Sequence, residues 1–277
     1  MRCLNDLKLV FDENLKNYSF KIGNLDVKKN SIFIGGPCAV ESEEQINEIA
    51  KQVKEAGGNI LRGGAYKPRS SPYSFQGLGE VGLQYLKKAG DMIGLPTVTE
   101  VMDTRDIEKV AYYCDVIQIG ARNVQNYSLL KEVGKLDKPI LLKRGLSGTV
   151  KDWLYSAEYI LNEGNRKLIL CERGIKTLEN VTRNTLDLST VCWLKKKVHL
   201  PVITDISHAA GRRDLIEDLS MSSIMAGSDG LMLEVHTHPE VALCDGEQSI
   251  KPEEFKQIVN RAGVVKQIYT QFHKNNF

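Results

Sequence analysis

Four side chains that can bind a divalent metal ion stand at or just beyond the ends of short apolar runs. They are Cys38, His208, Glu234 and Asp245. A thiolate, an imidazole and two carboxylates form a mixed donor set that suits Mn²⁺, Fe²⁺, Co²⁺ or Zn²⁺. The spacing leaves alternatives open, because a cysteine after Gly-Pro is as readily a small buried hydrophobe. His236 and His238 also compete with His208 as ligands.

Basic side chains lie within or directly after the same apolar runs. They are Arg62, Lys67, Arg69, Arg122, Lys143, Arg144 and Arg173. An unpaired cation is costly to bury, so their convergence predicts an anionic ligand. Guanidinium groups match phosphate and carboxylate geometry, and these cations suffice for two phosphorylated molecules. The loop over residues 67–71 adds hydroxyl groups on a segment stiffened by proline.

Several common kinds of catalytic site have no signature in the chain. It contains no dinucleotide fingerprint, P-loop or GxSxG motif, so we expect no nucleotide cofactor and no serine hydrolase. The candidate residues favour Lewis-acid chemistry on phosphorylated substrates over a nucleophilic serine or cysteine.

The elements that must position these residues alternate between strands and helices. Apolar runs begin near residues 31, 59, 95, 116, 139, 167, 201 and 230. Helical periodicity covers residues 43–56, 79–93, 104–113, 150–161, 213–225 and 252–269. The strands lack polar alternation, as expected when both faces are covered.

This pattern predicts an α/β fold, a (β/α)8 TIM barrel over residues 31–277 with its active site at the carboxyl ends of the strands. An open doubly wound sheet is the lesser alternative. Residues 1–30 form a short N-terminal extension, in which Gly23 and Asn24 separate two short runs. We predict a hairpin there that caps the amino-terminal end of the barrel.

Composition and charge are those of an ordinary globular protein. Apolar residues make up 42% of the chain, charged residues 26%, and the net charge is +2. This balance indicates neither nucleic acid nor membrane as a partner. No secretory signal or membrane span is recognisable, and the six cysteines contain no CxxC pair. We therefore expect free thiols and a cytoplasmic location.

Long motifs resemble one known family in the right order. They are Gly36-Pro-Cys-Ala-Val-Glu-Ser42, the segment 61–79, Gln118-Ile-Gly-Ala-Arg-Asn-Val-Gln-Asn126, Leu141-Leu-Lys-Arg-Gly145, the segment 170–177, Arg183-Asn-Thr-Leu-Asp-Leu188 and Ser207-His-Ala-Ala-Gly-Arg-Arg213. Over about residues 31–270 the chain resembles 3-deoxy-D-arabino-heptulosonate 7-phosphate (DAHP) synthase of the type I-beta subgroup. That family of transferases catalyses the first step of the shikimate pathway of aromatic amino acid biosynthesis.

The resemblance implies a metal-dependent condensation of phosphoenolpyruvate with erythrose 4-phosphate, with release of phosphate. The implied metal ligands are Cys38, His208, Glu234 and Asp245. The implied phosphoenolpyruvate residues are Arg62, Lys67, Arg122, Lys143 and Arg173, and those for erythrose 4-phosphate are Lys67, Pro68, Arg69 and Ser70. We predict Lys143 as a proton donor and Glu100 as the residue that positions the attacking water.

Two other functions stay open at this point. The sister 3-deoxy-D-manno-octulosonate 8-phosphate synthase uses arabinose 5-phosphate and reads Lys-Ala-Asn-Arg-Ser-Ser in the sugar-phosphate loop. This chain reads Lys67-Pro-Arg-Ser-Ser71, and the shorter loop favours the four-carbon aldose. A catalytically inactive relative that only binds metabolites is the second alternative.

The resemblance also suggests assembly and regulation. We expect a homodimer or homotetramer, and insensitivity to aromatic amino acids and prephenate, because the first thirty residues are too short for a regulatory domain. Cys244 adjoins Asp245, and we hypothesise that it forms an inactivating disulfide with Cys38 once metal is lost. An inert packed cysteine is the alternative.

Overall fold

A computed structural model describes residues 6–69 and 71–274. It begins with an antiparallel hairpin of β1 (Lys21–Ile22) and β2 (Leu25–Asp26). Eight parallel strands then close into a barrel in the order β10-β3-β4-β5-β6-β7-β8-β9. Their bounds are β3 (Ile32–Gly36), β4 (Ile60–Arg62), β5 (Thr97–Val101), β6 (Val116–Ile119), β7 (Ile140–Lys143), β8 (Leu168–Glu172), β9 (Val202–Asp205) and β10 (Gly230–Glu234). The predicted TIM barrel with an N-terminal hairpin is confirmed.

Helices follow the strands and cover the outside of the barrel. They are α1 (Glu43–Glu55), α2 (Glu80–Ile93), α3 (Ile107–Tyr113), α4 (Tyr127–Gly134), α5 (Val150–Asn162), α6 (Leu188–Lys197), α7 (Ile206–Ala210), α8 (Ile216–Met225) and α9 (Pro252–Lys274). The periodicity predicted six of these, and it did not predict α4, α6 or α7. The predicted helices from 104 and 213 each begin as a 3₁₀ turn, Thr104–Asp106 and Arg213–Leu215.

Helix ends are set by local side-chain chemistry. Ser42 accepts a hydrogen bond from the Gln45 amide at the start of α1. Thr149 and Asp152 form a capping box at the start of α5. These caps satisfy amide groups that the first helical turn leaves free. The loops that precede α1 and α5 therefore enter their helices at defined residues.

The interior of the barrel is one apolar cluster that includes the hairpin. The hairpin contributes Phe20, Ile22, Leu25 and Val27, and the strands contribute Ile32, Ile34, Ile60, Val98, Val116, Leu141, Ile169, Cys171, Ile203 and Met232. Several of these begin their strands, so the hairpin closes the amino-terminal end, as predicted. The division into an extension of residues 1–30 and a barrel of residues 31–277 stays a prediction.

Within the described part of the chain, no helix combines the length and apolar character needed to cross a membrane.

Candidate active site

Charged side chains line the carboxyl-terminal mouth of the barrel because of strand periodicity. Side chains two residues apart on a strand share a face. Each of the interior residues Ile60, Val98, Leu141, Ile203 and Met232 is therefore followed, two positions later, by a residue that faces the same interior. Those later residues are Arg62, Glu100, Lys143, Asp205 and Glu234. The interior-facing side chains of these strands are therefore apolar inside the barrel and ionisable at its mouth.

The four predicted metal ligands lie together at this mouth. One ligand atom from each of Cys38, His208, Glu234 and Asp245 lies within 4.8 Å of the others. Cys38 Sγ is 3.2 Å from Asp245 Oδ2, and His208 Nε2 is 3.4 Å from Glu234 Oε1. The four residues come from the ends of three neighbouring strands and the connections after them, which barrel closure brings into contact.

An unsatisfied buried oxygen shows that these residues fit a metal ion. Glu234 Oε1 is buried and has no hydrogen bond among the described residues. It forms an ion pair with Arg62 Nη1 at 3.1 Å. A buried acceptor usually has a hydrogen-bond partner, so an oxygen whose described partners are the ion pairs with Arg62 and, at 3.4 Å, His208 is available for metal ligation. The mixed S, N and O donors suit the predicted divalent transition ions.

Glu234, Asp245 and His208 all have lowered pKa values. Burial acts to raise the pKa of Glu234, but His208 and Arg62 outweigh it and lower that pKa. Burial likewise opposes ionisation of Asp245, yet His208 and Arg183 lower its pKa to about 2. Burial lowers the pKa of His208, which favours the neutral ring that ligates metals.

Cys38 differs from the other three ligands in its protonation. Its hydrogen bond with Cys244, its burial and the nearby Glu234 raise the pKa of the Cys38 thiol well above the usual value. A cysteine ligates as the thiolate, so metal binding here must release a proton.

Two predicted cations contact Cys38, and a third contacts Cys244. Lys67 Nζ lies 2.9 Å from Cys38 Sγ and donates to the Cys38 carbonyl at 3.0 Å. Arg62 donates to the same carbonyl at 3.3 Å. Arg69 Nη1 is 2.7 Å from the sulfur of Cys244. Burial opposes the charge on Lys67, but Cys38 and Cys244 raise the pKa of its ammonium above its usual value.

The Asp205 carboxylate joins Lys143, the predicted proton donor, to His208, a predicted metal ligand. Its role was not predicted from the sequence. Its Oδ2 is 2.5 Å from Lys143 Nζ, and its Oδ1 is 3.0 Å from His208 Nδ1. The carboxylate is fully buried. The signal was present in the sequence, because Asp205 follows the interior residue Ile203 by two positions.

The remaining predicted residues differ in whether they contact the metal-ligand cluster. Arg173 donates to the His208 carbonyl at 3.4 Å. Glu100 accepts from Gln118 at 3.2 Å. Arg122 is exposed and lines a separate cavity of about 360 Å³ at the β6 and β7 ends. No described hydrogen bond or ion pair links Glu100 or Arg122 to the four ligands.

Arg144 points away from the mouth, contrary to its grouping with the other cations. It directly follows Lys143, so strand alternation turns it to the outer face. There its guanidinium lies 2.8 Å from Glu172 and 3.0 Å from Asp187. Arg144 is therefore a structural partner of two carboxylates.

The competing histidines lie outside the cluster. His236 Nε2 is 3.2 Å from the Gln45 amide, and exposed His238 is 3.5 Å from Glu240. Pro68 is half-buried beside Lys67, and Ser70 lies outside the described residues.

Two further polar residues reach the carboxylate ligands, and sequence reasoning gave neither a role. Gln248 donates to Glu234 Oε2 at 2.5 Å. Arg183 lies 3.4 Å from Asp245 Oδ1. Arg183 stands inside one of the family motifs, whereas no pattern in the sequence distinguishes Gln248.

Comparison with known proteins matches this architecture and this site. The sequence profile of the DAHP synthetase I family covers residues 17–268. The chain belongs to the DAHP synthetase I family. The phospho-2-dehydro-3-deoxyheptonate aldolase of Thermotoga maritima is 55% identical over 226 residues, which are 82% of this chain and 67% of that protein. The crystal structure of the DAHP synthase from Thermotoga maritima superposes with a TM-score of 0.92 at 48% identity, covering 97% of this chain and 79% of that one.

The sister family is more distant from this DAHP synthetase I chain. The 2-dehydro-3-deoxyphosphooctonate aldolase of Geobacter sulfurreducens is 27% identical over 90% of this chain and 96% of that protein. The resemblance to type I-beta DAHP synthases and the predicted enzyme activity, that of a DAHP synthase of the shikimate pathway, are confirmed. The Cys38, His208, Glu234 and Asp245 cluster is consistent with the metal site of such an enzyme.

Proposed function

We propose that this chain condenses phosphoenolpyruvate with erythrose 4-phosphate and water at the carboxyl end of the barrel, giving DAHP and inorganic phosphate. The observation that carries the proposal is the metal-ligand cluster, whose four ligand atoms lie within 4.8 Å of one another amid buried cations. A metal-ligand cluster beside the buried cations Arg62, Lys143 and Arg173 suits two phosphorylated substrates, one of which is an aldehyde.

Cys38, His208, Glu234 and Asp245 would hold a divalent ion such as Mn²⁺, Fe²⁺, Co²⁺ or Zn²⁺, which when bound supplies a Lewis acid for the aldehyde oxygen. Asp205 accepts from Nδ1 of His208 and so turns Nε2 toward the other ligands.

The cations bind and orient phosphoenolpyruvate. Arg62, Lys143 and Arg173 are buried at the mouth, where their charges meet the phosphate and carboxylate of this substrate. Lys67 and Arg122 are assigned to the same ligand by the family resemblance. Fixing both anionic ends holds C3 of phosphoenolpyruvate toward the aldehyde carbon, which lowers the entropic part of the barrier.

Erythrose 4-phosphate is proposed to bind along the loop of Lys67, Pro68, Arg69 and Ser70. Lys67 and Arg69 already face the cluster through Cys38 and Cys244. Their charges would neutralise the sugar phosphate and leave its aldehyde directed at the metal-ligand cluster.

The reaction forms one C–C bond and breaks one bond to phosphate. C3 of phosphoenolpyruvate attacks the aldehyde carbon, whose oxygen gains a proton, and water adds at C2. The resulting hemiketal phosphate then releases inorganic phosphate and leaves the 2-keto group. Lys143, held at 2.5 Å by Asp205, is the proposed proton donor near C3 or the carboxylate, and the oxygen of the aldehyde that C3 attacks accepts the proton. Glu100, fixed by Gln118, is proposed to position the attacking water.

Phosphate release tests this function directly. Metal-loaded protein is given phosphoenolpyruvate with either erythrose 4-phosphate or arabinose 5-phosphate, and each assay is repeated after chelation. We expect chelator-sensitive release with erythrose 4-phosphate alone. Release mainly with arabinose 5-phosphate would assign the chain to the sister activity, and no release with either would support a protein that only binds metabolites.

Assembly and location follow from the family resemblance and from the cysteines. We infer a homodimer or homotetramer built through the outer helices, and sedimentation of the purified chain is the test. The five cysteines within the described residues are free thiols, which supports a reducing compartment such as the cytoplasm.

A further inference from the structure

We propose that Gln248 and Arg183 are positioning residues that hold the two carboxylate ligands so that each turns a single oxygen toward the metal. The inference rests on the metal site proposed above. It concerns residues that lie outside the four ligands and outside the substrate cations.

Gln248 fixes the orientation of Glu234. It ends the 3₁₀ turn Gly246–Gln248 and is 2% exposed. Its Nε2 donates to Glu234 Oε2 at 2.5 Å, and its Oε1 accepts from Arg183 Nη1 at 2.8 Å. A carboxylate can only accept and a guanidinium can only donate, so the two partners together determine which way the amide points.

Arg183 holds one carboxylate oxygen of Asp245, as Gln248 holds one carboxylate oxygen of Glu234. Its Nη1 lies 3.4 Å from Asp245 Oδ1, while Asp245 Oδ2 faces Cys38 Sγ at 3.2 Å. In Glu234, likewise, Oε2 is held by Gln248 and Oε1 faces His208 at 3.4 Å. Each carboxylate ligand therefore has one outer oxygen held by Gln248 or Arg183 and one inner oxygen directed at the other ligands. The inner oxygen of Glu234 also lies 3.1 Å from Arg62 Nη1.

The backbone at Asp245 adopts an uncommon conformation. Asp245 has φ 52° and is the one non-glycine residue with positive φ among those described. This left-handed conformation is uncommon for a residue with a side chain, although aspartate tolerates it better than most. Strained conformations persist only when the surroundings over-determine them. Arg183 supplies part of that constraint through its ion pair with the Asp245 side chain. Arg183 is itself anchored, because its backbone amide donates to the carbonyl of Ala210, the last residue of α7, at 3.0 Å.

Metal titration of variants tests the inference with a readout other than activity. Gln248→Met keeps the length of the side chain and removes the hydrogen bonds, and Arg183→Met does the same for the guanidinium. We expect each to weaken Co²⁺ binding about 10- to 100-fold in competition with a chelator. Arg183→Lys, which keeps the charge near Asp245, should recover part of the loss. Arg212→Met is the matched control, because exposed Arg212 has Asp214 as its one ion-pair partner among the described residues.

A double variant separates a shared network from two independent effects. Because Arg183 acts partly through Gln248, we expect the loss in Gln248→Met/Arg183→Met to be smaller than the product of the two single losses. The ligand-field absorption of bound Co²⁺ should change in the single variants, since a released carboxylate can rotate or bind through both oxygens. Phosphoenolpyruvate binding to the metal-free variants should stay as in the parent.

Co²⁺ affinities within twofold of the parent, with unchanged spectra, would overturn the positioning role and leave the proposed function intact. A parallel loss of metal-free phosphoenolpyruvate binding would also overturn it, by indicating general distortion of the barrel mouth. If the parent itself fails to bind Co²⁺, the metal site and the proposed function fall together with this inference.

Discussion

Asp205 is a fully buried carboxylate between two basic side chains, Lys143 and His208. Burial acts against its charge, but His208 and Lys143 lower its pKa well below the usual value. Removing one member of a buried charged network leaves the others unpaired. At the scale of single residues, the site therefore depends on a partner that is neither a proposed metal ligand nor a proposed substrate contact.

Asp205→Asn should impair both neighbours of this carboxylate. We expect turnover at saturating metal to fall about 10²-fold or more, because Lys143 loses the group that orients it. Metal affinity should fall about 10-fold or more through His208. Steady-state kinetics and metal titration measure the two effects. Asp91→Asn on the surface of α2 is the control, and parent-like values in Asp205→Asn would contradict the role.

Cys244 is close enough to Cys38 for the two thiols to be oxidised to a disulfide. The two sulfurs are 3.1 Å apart. Formation of a disulfide removes two electrons and two protons, which dissolved oxygen can accept. We predict that metal-free parent protein loses thiols and activity in air and regains both with dithiothreitol.

Cys244→Ser should keep its activity under the same treatment, whereas a Cys192→Ser variant at an exposed site should behave like the parent. Thiol counting and activity after metal reloading are the measurements. Equal inactivation of Cys244→Ser and the parent would favour the packed, inert cysteine.

At the scale of elements, an outward-facing ion-pair network joins two strands to a helix. Arg144 at the end of β7 pairs with Glu172 at the end of β8 and with Asp187, the N-cap of α6. Glu172 also accepts from the Gly174 amide at 2.7 Å. Since Arg144 and Glu172 adjoin Lys143 and Arg173 in sequence, this network helps to hold two inward-facing cations in place.

Asp187→Ala should lower the free energy of unfolding by about 2 kcal/mol, from the lost helix cap and the unpaired Arg144. Burial opposes the charge of Asp187, but hydrogen bonds from Thr190 and Arg144 outweigh it and lower the pKa of Asp187. Because the pKa of Asp187 is lower in the folded than in the unfolded protein, its charge stabilises the fold at pH values above the unfolded-state pKa, which is near 4. This contribution is lost as the pH falls through the folded-state pKa.

Urea unfolding at several pH values measures this dependence. The deficit of Asp187→Ala should be full at pH 7 and shrink below about pH 4. Asp187→Asn keeps a capping side chain and loses only the charge, so its deficit should be smaller. A deficit independent of pH would contradict the ion-pair contribution.

At the scale of the whole molecule, the hairpin and the barrel share one core. Ile22 is 2% exposed and belongs to the same cluster as the interior residues of the strands. The amino-terminal end is thereby closed by apolar packing, which leaves the carboxyl end as the open mouth where the charged residues gather.

Ile22→Ala should therefore destabilise the barrel, by about 2–4 kcal/mol for a buried isoleucine. Urea unfolding measures the loss, and Lys21→Ala at the exposed neighbouring position is the control. A separate transition at low urea in the parent would contradict this view and make the hairpin an independent unit.

The barrel, the hairpin and the candidate metal ligands could be predicted from the amino-acid sequence. Unbroken apolar runs specify strands covered on both faces, and the residues that end those runs meet at one end of a parallel barrel. Residue type then limits the chemistry, since cysteine, histidine, glutamate and aspartate form a metal-binding set. These properties are local, so they can be read from the chain before it folds.

The groups that complete the site could be identified only from the folded arrangement of the chain. Cys38 meets Asp245 across 207 positions of sequence because the barrel closes. Arg144 faces outward while Lys143 faces inward because adjacent strand residues point to opposite faces. Gln248 reaches Glu234 from a 3₁₀ turn that no periodic pattern marks. Such contacts depend on register and loop conformation, which are set by packing among residues far apart in the chain.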